Sequence, residues 1–275
     1  MTVTVSTAEF DFTIGIVSLD GLLLHEQVVD EHVIGLTDAI EQDGAIRDPV
    51  VVDGSTNVVL DGMHRVTAAR RLGLEHIPAC LVQYDDPGIE VEGWAKVYEG
   101  ISPGAIERST AIVGIDLVSS PSTTTGHDEA RPVAVIDGTF FQLEAGETIE
   151  EVCTFLDTLL GELMSMGYHH RLEPDTYLNG SFDGEETIVA MPPLPKSTIV
   201  EVANAPFSFP PNTTRHIVPV RPIGLNVPLD VLRGTANEAD TWLAERLAHC
   251  DLKYVPPGSI HDDRRYDEAL VVVDE

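Results

Sequence analysis

Lysine is nearly missing from this chain: Lys96, Lys196 and Lys253 are the only three in 275 residues. Sixteen basic side chains face 46 acidic ones, for a formal charge of −30. A protein that grips nucleic acid or an anionic membrane needs a basic face, so the balance argues against both. Such self-repulsion is screened in concentrated salt, and the composition resembles that of a salt-requiring halophile protein. Cysteine is scarce too. Cys80, Cys153 and Cys250 are odd in number and far apart, which excludes a disulfide or zinc framework and suits buried thiols of a reducing compartment. No apolar run reaches membrane-spanning length, and the start lacks a charged-then-apolar signal pattern. The expectation is a soluble, cytoplasmic chain.

Several catalytic signatures are absent as well. Without G-x-x-x-x-G-K-[ST] there is no Walker-type phosphate cradle, and neither G-x-S-x-G nor H-E-x-x-H occurs. "HEQVVDEH" (His25–His32) spaces its histidines seven apart, too far for a metalloprotease helix. The adjacent histidines of "GYHHRLEPD" and the charges of "HDDRRYDE" read as solvated loops.

What is there reads as alternating strands and helices. After a strand-like lead (Phe10–Leu24), Asp30 suits an N-cap, Val33, Leu36 and Ile40 share one helical face, and Gly44 ends the helix. Two short β-branched strands surround a Gly-Ser-Thr-Asn turn, the second runs through Asp-Gly-Met-His-Arg into a basic helix stopped by Gly73, and "HIPACLVQY" is a buried strand. A Gly-, Pro- and Ser-rich stretch suggests a domain boundary near 100–130. Beyond it lie a hairpin turning at Asp137-Gly138, a helix opened by a Thr148–Glu151 capping box, and strands at Thr187–Met191 and Ser197–Val202. A helix around Ala239–Ala248 and a last strand, "ALVVVDE", close the chain.

The acids are unevenly spread. Val202–Leu229 holds none where the chain average predicts about five, yet it carries Arg215, His216 and Arg221. Gly62–Leu74 also holds none and carries His64, Arg65, Arg70 and Arg71. Burial alone does not explain such basic windows in an acidic chain, so the pair suggests one anion site in a cleft. The start of a helix is a natural seat for phosphate, because its first N–H groups are unpaired and its dipole is positive there. Glu26 follows an apolar strand-like run, a place from which a carboxylate can project as a base.

"HEQV…AIEQDGAIRDPVVVD…NVVLDGMHRVTAARRLG" resembles the ParB/sulfiredoxin superfamily, and within it the free L-serine kinases, with a halophilic archaeon as the implied source. "TTRHIVPVRPIGLNVPLDVL" is similar to the segment those kinases carry after their ParB-like domain. The resemblance covers Leu22 to about Trp94 and Thr213–Leu232. It implies an α+β fold, with a nucleotide-binding ParB/sulfiredoxin-like domain over 1–105 and a second α+β domain over 106–275 closing a cleft and contributing substrate-binding residues. The implied activity is transfer of the terminal phosphate of ATP or ADP to free L-serine, giving O-phospho-L-serine for serine or cysteine biosynthesis.

Carried over by residue, Glu26 is the catalytic base, and Asp61 acts near the metal or the moving phosphoryl group. Gly62, Met63, His64 and Arg65 wrap the nucleotide phosphates, while Trp94, Thr214, Arg215 and His216 recognise the amino acid. Mg²⁺ is held through the phosphates, with no protein ligand assigned beyond Asp61 as a candidate. Met63 departs from the pattern, since the kinases usually show His there. Sulfiredoxins place a Cys in that loop, and methionine cannot do its thiol chemistry. ParB proteins append a helical DNA-binding domain, whereas this second half is strand-rich and acidic. The alternative is a ParB-like regulator that binds nucleotide without turnover.

Overall fold

β-Branched residues packed on both sides make Val50–Asp53 a fully buried strand, and the sheet around it sets the frame for everything near Asp61. The structure is a computed structural model that describes residues 2–7, 10–120, 131–179, 185–261 and 264–274. Asp262 and Asp263 of the "HDDRRYDE" stretch, and 121–130 of the boundary region, lie outside the described residues.

The chain opens with β1 (Thr2–Ser6) and β2 (Asp11–Ser18), followed by α1 (Asp30–Asp43), β3 (Ala45–Ile46), β4 (Val50–Asp53), β5 (Val59–Asp61), α2 (Met63–Arg71) and β6 (His76–Val82). Five of these strands form one mixed sheet in the order β1-β2-β6-β4-β5, with β4 and β6 parallel. The helix expected at Asp30 is present, with Val33 and Ile40 buried and Gly44 in the left-handed conformation at its end. Its N-cap, however, is Val29 and not Asp30. Asp30 sits inside the first turn, where its charge suits the positive end of the dipole.

Next come β7 (Glu90–Glu99), α3 (Pro103–Val113), β8 (Asp116–Ser119), β9 (Val133–Ile136), β10 (Thr139–Glu144), α4 (Ile149–Ser165), β11 (His170–Pro174) and β12 (Glu186–Ala190). They build a second sheet in the order β11-β7-β12-β9-β10-β8. Ala95 and Val97 on β7, Val133 and Val135 on β9, and Ile188 and Ala190 on β12 form its core, each pair two apart on one strand face. The Thr148–Glu151 capping box at α4 is formed as the sequence indicates.

The stretch expected to be a strand at Ser197–Val202 is instead a helix, α5 (Lys196–Ala203). Its β-branched composition suggests a strand, but the prolines before it permit a helix start. The N–H of Ile199 bonds to the Pro195 carbonyl, and Ile199 and Val202, three apart, are both buried. Then follow β13 (Thr214–Ile217), which pairs with β7, β14 (Val220–Ile223), β15 (Val227–Pro228), α6 (Leu229–Arg233), α7 (Ala236–Ala248) and β16 (Asp251–Val255). A small hairpin of β17 (Ile260–His261) and β18 (Arg264–Arg265) precedes the last strand, β19 (Ala269–Asp274). β14, β19 and β16 form a three-stranded sheet.

The chain divides into two compact units. Unit 1 comprises Met1–Glu90, Val200–Ser208 and His216–Glu275, and unit 2 comprises Val91–Ile199 and Phe209–Arg215. This division is not the contiguous 1–105 and 106–275 expected from the sequence. The reason is backbone pairing far along the chain: Val227 pairs with Ile46, the Asn226 N–H bonds to the Arg47 carbonyl, and the Leu229 N–H to that of Gly44. Long-range bonds of this kind leave no local pattern in a sequence. Among the described residues, no helix is long and apolar enough to cross a membrane.

Candidate active site

Gly62 joins β5 to α2 and fixes how that helix starts. Its φ is 98°, in the left-handed region, and a Cβ there would lie 2.6 Å from Val50 Cγ1. Only glycine meets both demands. Gly62 is the N-cap and offers no capping side chain, and the first turn that follows carries no acid. The N–H groups of Met63, His64 and Arg65 therefore open a helix whose positive end no side chain from the cap neutralises.

Asp61, the residue before, is held by two guanidinium groups. Arg65 Nη2 donates to Asp61 Oδ2 at 2.7 Å, and Arg221 Nη1 donates to the same oxygen. Arg65 Nη1 also donates to the carbonyls of Asp48 (2.9 Å) and Pro49 (2.7 Å), so this residue ties the helix start to the loop before β4. Arg221 Nε donates to Glu268 Oε1 at 2.7 Å, with its side chain only 11% exposed. Burial alone would lower the Arg221 pKa, but Asp61 and Glu268 outweigh it and hold the guanidinium above its ordinary value.

His64 Nε2 accepts the Val29 N–H at 3.2 Å, and its ring lies 5.8 Å from that of His32. Burial lowers its pKa, His32 adds to that, and Asp61 opposes it. The imidazole is thereby held in its neutral form, with Nε2 as the acceptor. Glu26 lies in the extended segment between the Leu23–Val58 bridge and α1, and is 7% exposed.

Beside Glu26 in the chain, His25 is fully buried, and burial pushes its pKa down to about 4 against a hydrogen bond to the Val59 backbone. Its ring meets that of His216 edge-on, with centroids 5.4 Å apart. His216 Nε2 lies 2.8 Å from the Tyr84 hydroxyl. The Tyr84 N–H donates to Asp53 Oδ1, and the Ser55 and Thr56 hydroxyls donate to Asp53 Oδ2. Burial would raise the Asp53 pKa, but these bonds and the Ser55 N–H outweigh it and hold it low.

The other predicted substrate residues belong to unit 2. The Arg215 guanidinium stands over the Trp94 ring, 5.4 Å from its centroid, and pairs with the Glu92 carboxylate. Gly93, between Glu92 and Trp94, leaves room for the Met191 carbonyl, which a Cβ would approach to 2.4 Å. Thr214 is buried, on the opposite strand face from Arg215. The structure thus brings Asp61 and Arg65 into direct contact, and likewise Trp94 and Arg215. His216 contacts Tyr84 and His25.

A scan against known protein families finds no match. A ParB-like protein of Sulfolobus acidocaldarius is 28% identical over 194 residues, covering 70% of this chain and 84% of that protein. An ATP-dependent L-serine kinase of Staphylothermus marinus is 25% identical over 232 residues, covering 79% and 90%. An ADP-dependent L-serine kinase of Thermococcus kodakarensis is 23% identical over 223 residues, covering 78% and 91%. Among solved structures, a free serine kinase variant in complex with AMP matches with a TM-score of 0.67 at 20% identity, over 83% of this chain and 96% of that one. The fold is that of a free serine kinase.

Within this fold, four residues that the sequence reading did not place stand out: Asp53, Tyr84, Arg221 as the partner of Asp61, and Glu268. Asp53 had a signal, because Asp-Gly-Ser-Thr is a turn in which an Asp carboxylate caps the residues after it. Glu268 had none, lying 47 positions from the arginine it holds. Cys80 and Cys153 are buried and Cys250 half-buried, and burial pushes the Cys80 thiol up to about 12. No group of three or more His, Cys, Asp or Glu among the described residues could hold a metal ion.

Proposed function

We propose that this chain transfers the terminal phosphate of ATP or ADP to free L-serine, yielding O-phospho-L-serine. Two likenesses carry the reading. Relatives named L-serine kinases match it over about 90% of their own length, and a free serine kinase bound to AMP shares its fold.

In this reading Glu26 accepts the serine hydroxyl proton as the bond to phosphorus forms. The phosphoryl transition state is loose, so much of the carboxylate's value lies in orienting the hydroxyl. The N–H groups at the start of α2, from Met63 to Arg65, hold nucleotide phosphate, with His64 beside them and Gly62 shaping the turn. Trp94, Thr214, Arg215 and His216 recognise the amino acid, an arginine being suited to its carboxylate. Arg215 is paired with Glu92, so a substrate carboxylate would share or displace that partner.

Mg²⁺ fits this arrangement as a companion of the nucleotide. The phosphates would hold it, with Asp61 the protein carboxylate at the helix entrance, and it would offset phosphate charge during transfer. Asp61 Oδ2 already accepts two guanidinium donors, so the phosphates would have to supply most of the ion's ligands. The acidic composition fits a salt-rich cytoplasm of a halophilic archaeon, and the product fits serine or cysteine biosynthesis.

A second reading is a nucleotide-binding regulator without turnover. Met63, standing where the kinases usually carry His, and the relative named a ParB-like protein favour it. An assay in molar KCl with Mg²⁺ separates the two, offering ATP or ADP against L-serine, L-threonine and L-homoserine. Phosphoserine formation establishes the kinase; nucleotide binding without any phosphorylated product establishes the regulator.

A further inference from the structure

Tyr84 follows β6 and is buried at 4% exposure, yet its one polar side-chain atom has a definite task. Its hydroxyl lies 2.8 Å from His216 Nε2, and the two ring centroids are 5.4 Å apart with planes inclined by 52°. The phenol itself is held from behind. Its backbone N–H donates to Asp53, whose carboxylate is in turn fixed by the Ser55 and Thr56 hydroxyls in the turn after β4. His25 also packs on His216, meeting it edge-on with centroids 5.4 Å apart.

The His216 imidazole is therefore boxed in by two rings, and one of its nitrogens is committed to a phenol. Burial, and Asp53 nearby, keep that phenol a neutral hydroxyl far above neutral pH. A neutral hydroxyl can donate to Nε2 or accept from it, and in either role the 2.8 Å contact fixes the ring's rotation. Without the hydroxyl, ring packing alone would hold the imidazole, with no polar partner at Nε2 from Tyr84 to select one orientation.

We infer that Tyr84 is a positioning residue for substrate recognition, fixing the rotamer in which His216 meets L-serine. The inference rests on the proposed assignment of His216 to the amino-acid substrate. Tyr84 is not expected to touch the substrate itself, nor to affect the nucleotide.

A double-mutant cycle on the full chain tests it, reading serine KM, kcat and the Kd for AMP in Tyr84→Phe, His216→Asn and the combination. The expected result is a serine KM raised about three- to tenfold in Tyr84→Phe, the scale of one lost hydrogen bond. AMP affinity should stay within twofold, which also reports an intact fold. In the His216→Asn background, Tyr84→Phe should add nothing further. If His216→Asn raises the serine KM and Tyr84→Phe does not, the inference is overturned and the kinase reading stands. If the two effects simply add, Tyr84 acts apart from His216 and the inference is again overturned. If His216→Asn leaves the serine KM unchanged, the assignment of His216 falls, and this inference with it.

Discussion

Arg221 donates to Asp61 across 160 residues of sequence, and its other face is held by Glu268. Asp61 ends β5 and Glu268 directly precedes β19, so the last strand of the chain helps fix the carboxylate that precedes α2. Breaking a buried ion pair by removing one partner typically costs about 3–5 kcal/mol, because the remaining charge is left uncompensated. Arg65 still holds Asp61 when Arg221 is lost. Arg221→Met should therefore fall at the low end, about 3 kcal/mol in denaturant unfolding, and Arg221→Lys should recover only part. A loss below 1 kcal/mol would show the network to be dispensable.

Gly62 makes a second point of sensitivity. Ala at this position would combine a φ of 98° with a 2.6 Å approach to Val50 Cγ1. Such strain costs about 1–3 kcal/mol, and relieving it must move the start of α2. Gly62→Ala is expected to lower stability by that amount and to weaken AMP binding in calorimetry. Full retention of both would remove this turn from the nucleotide site.

His25 sets a pH dependence. Its pKa is about 4 in the folded chain and 6.5 as the ordinary value. Between those values the unfolded chain binds a proton that the folded one does not, so stability falls as pH drops from 6.5 towards 4. At pH 5 the expected loss from this residue is about 2 kcal/mol relative to pH 7.5. His25→Asn should show a correspondingly shallower fall between the two pH values when both proteins are unfolded in denaturant. Parallel curves for the two would contradict the shifted pKa.

Local features of this chain were legible where the chemistry is local. The Asp137-Gly138 turn has φ of 51° and 69°, both positive, as a two-residue hairpin of Asp-Gly requires. The α4 capping box and the glycine at the entrance of α2 were equally plain. Ser197–Val202 misled because its β-branched run outweighs in appearance the three prolines between Met191 and Lys196. The division into units was hidden, because the acid-free stretch after Val202 serves two units in turn. Arg215 pairs with Glu92 in unit 2, while His216, the next residue, contacts Tyr84 in unit 1. Neither pairing could be read from neighbours in sequence, since each partner lies more than a hundred positions away.

Glu26 carries the central claim, and one substitution addresses it. A serine hydroxyl is a poor nucleophile at neutral pH, and a carboxylate in hydrogen-bond reach can take its proton during transfer. Glu26→Gln keeps the size of a side chain that is 7% exposed while removing its charge and basicity. Turnover of L-serine with ATP or ADP should fall about 10²- to 10⁴-fold in kcat, with AMP affinity unchanged within twofold. Turnover retained within a few fold, with the fold intact, would contradict the assignment of Glu26 as the catalytic base.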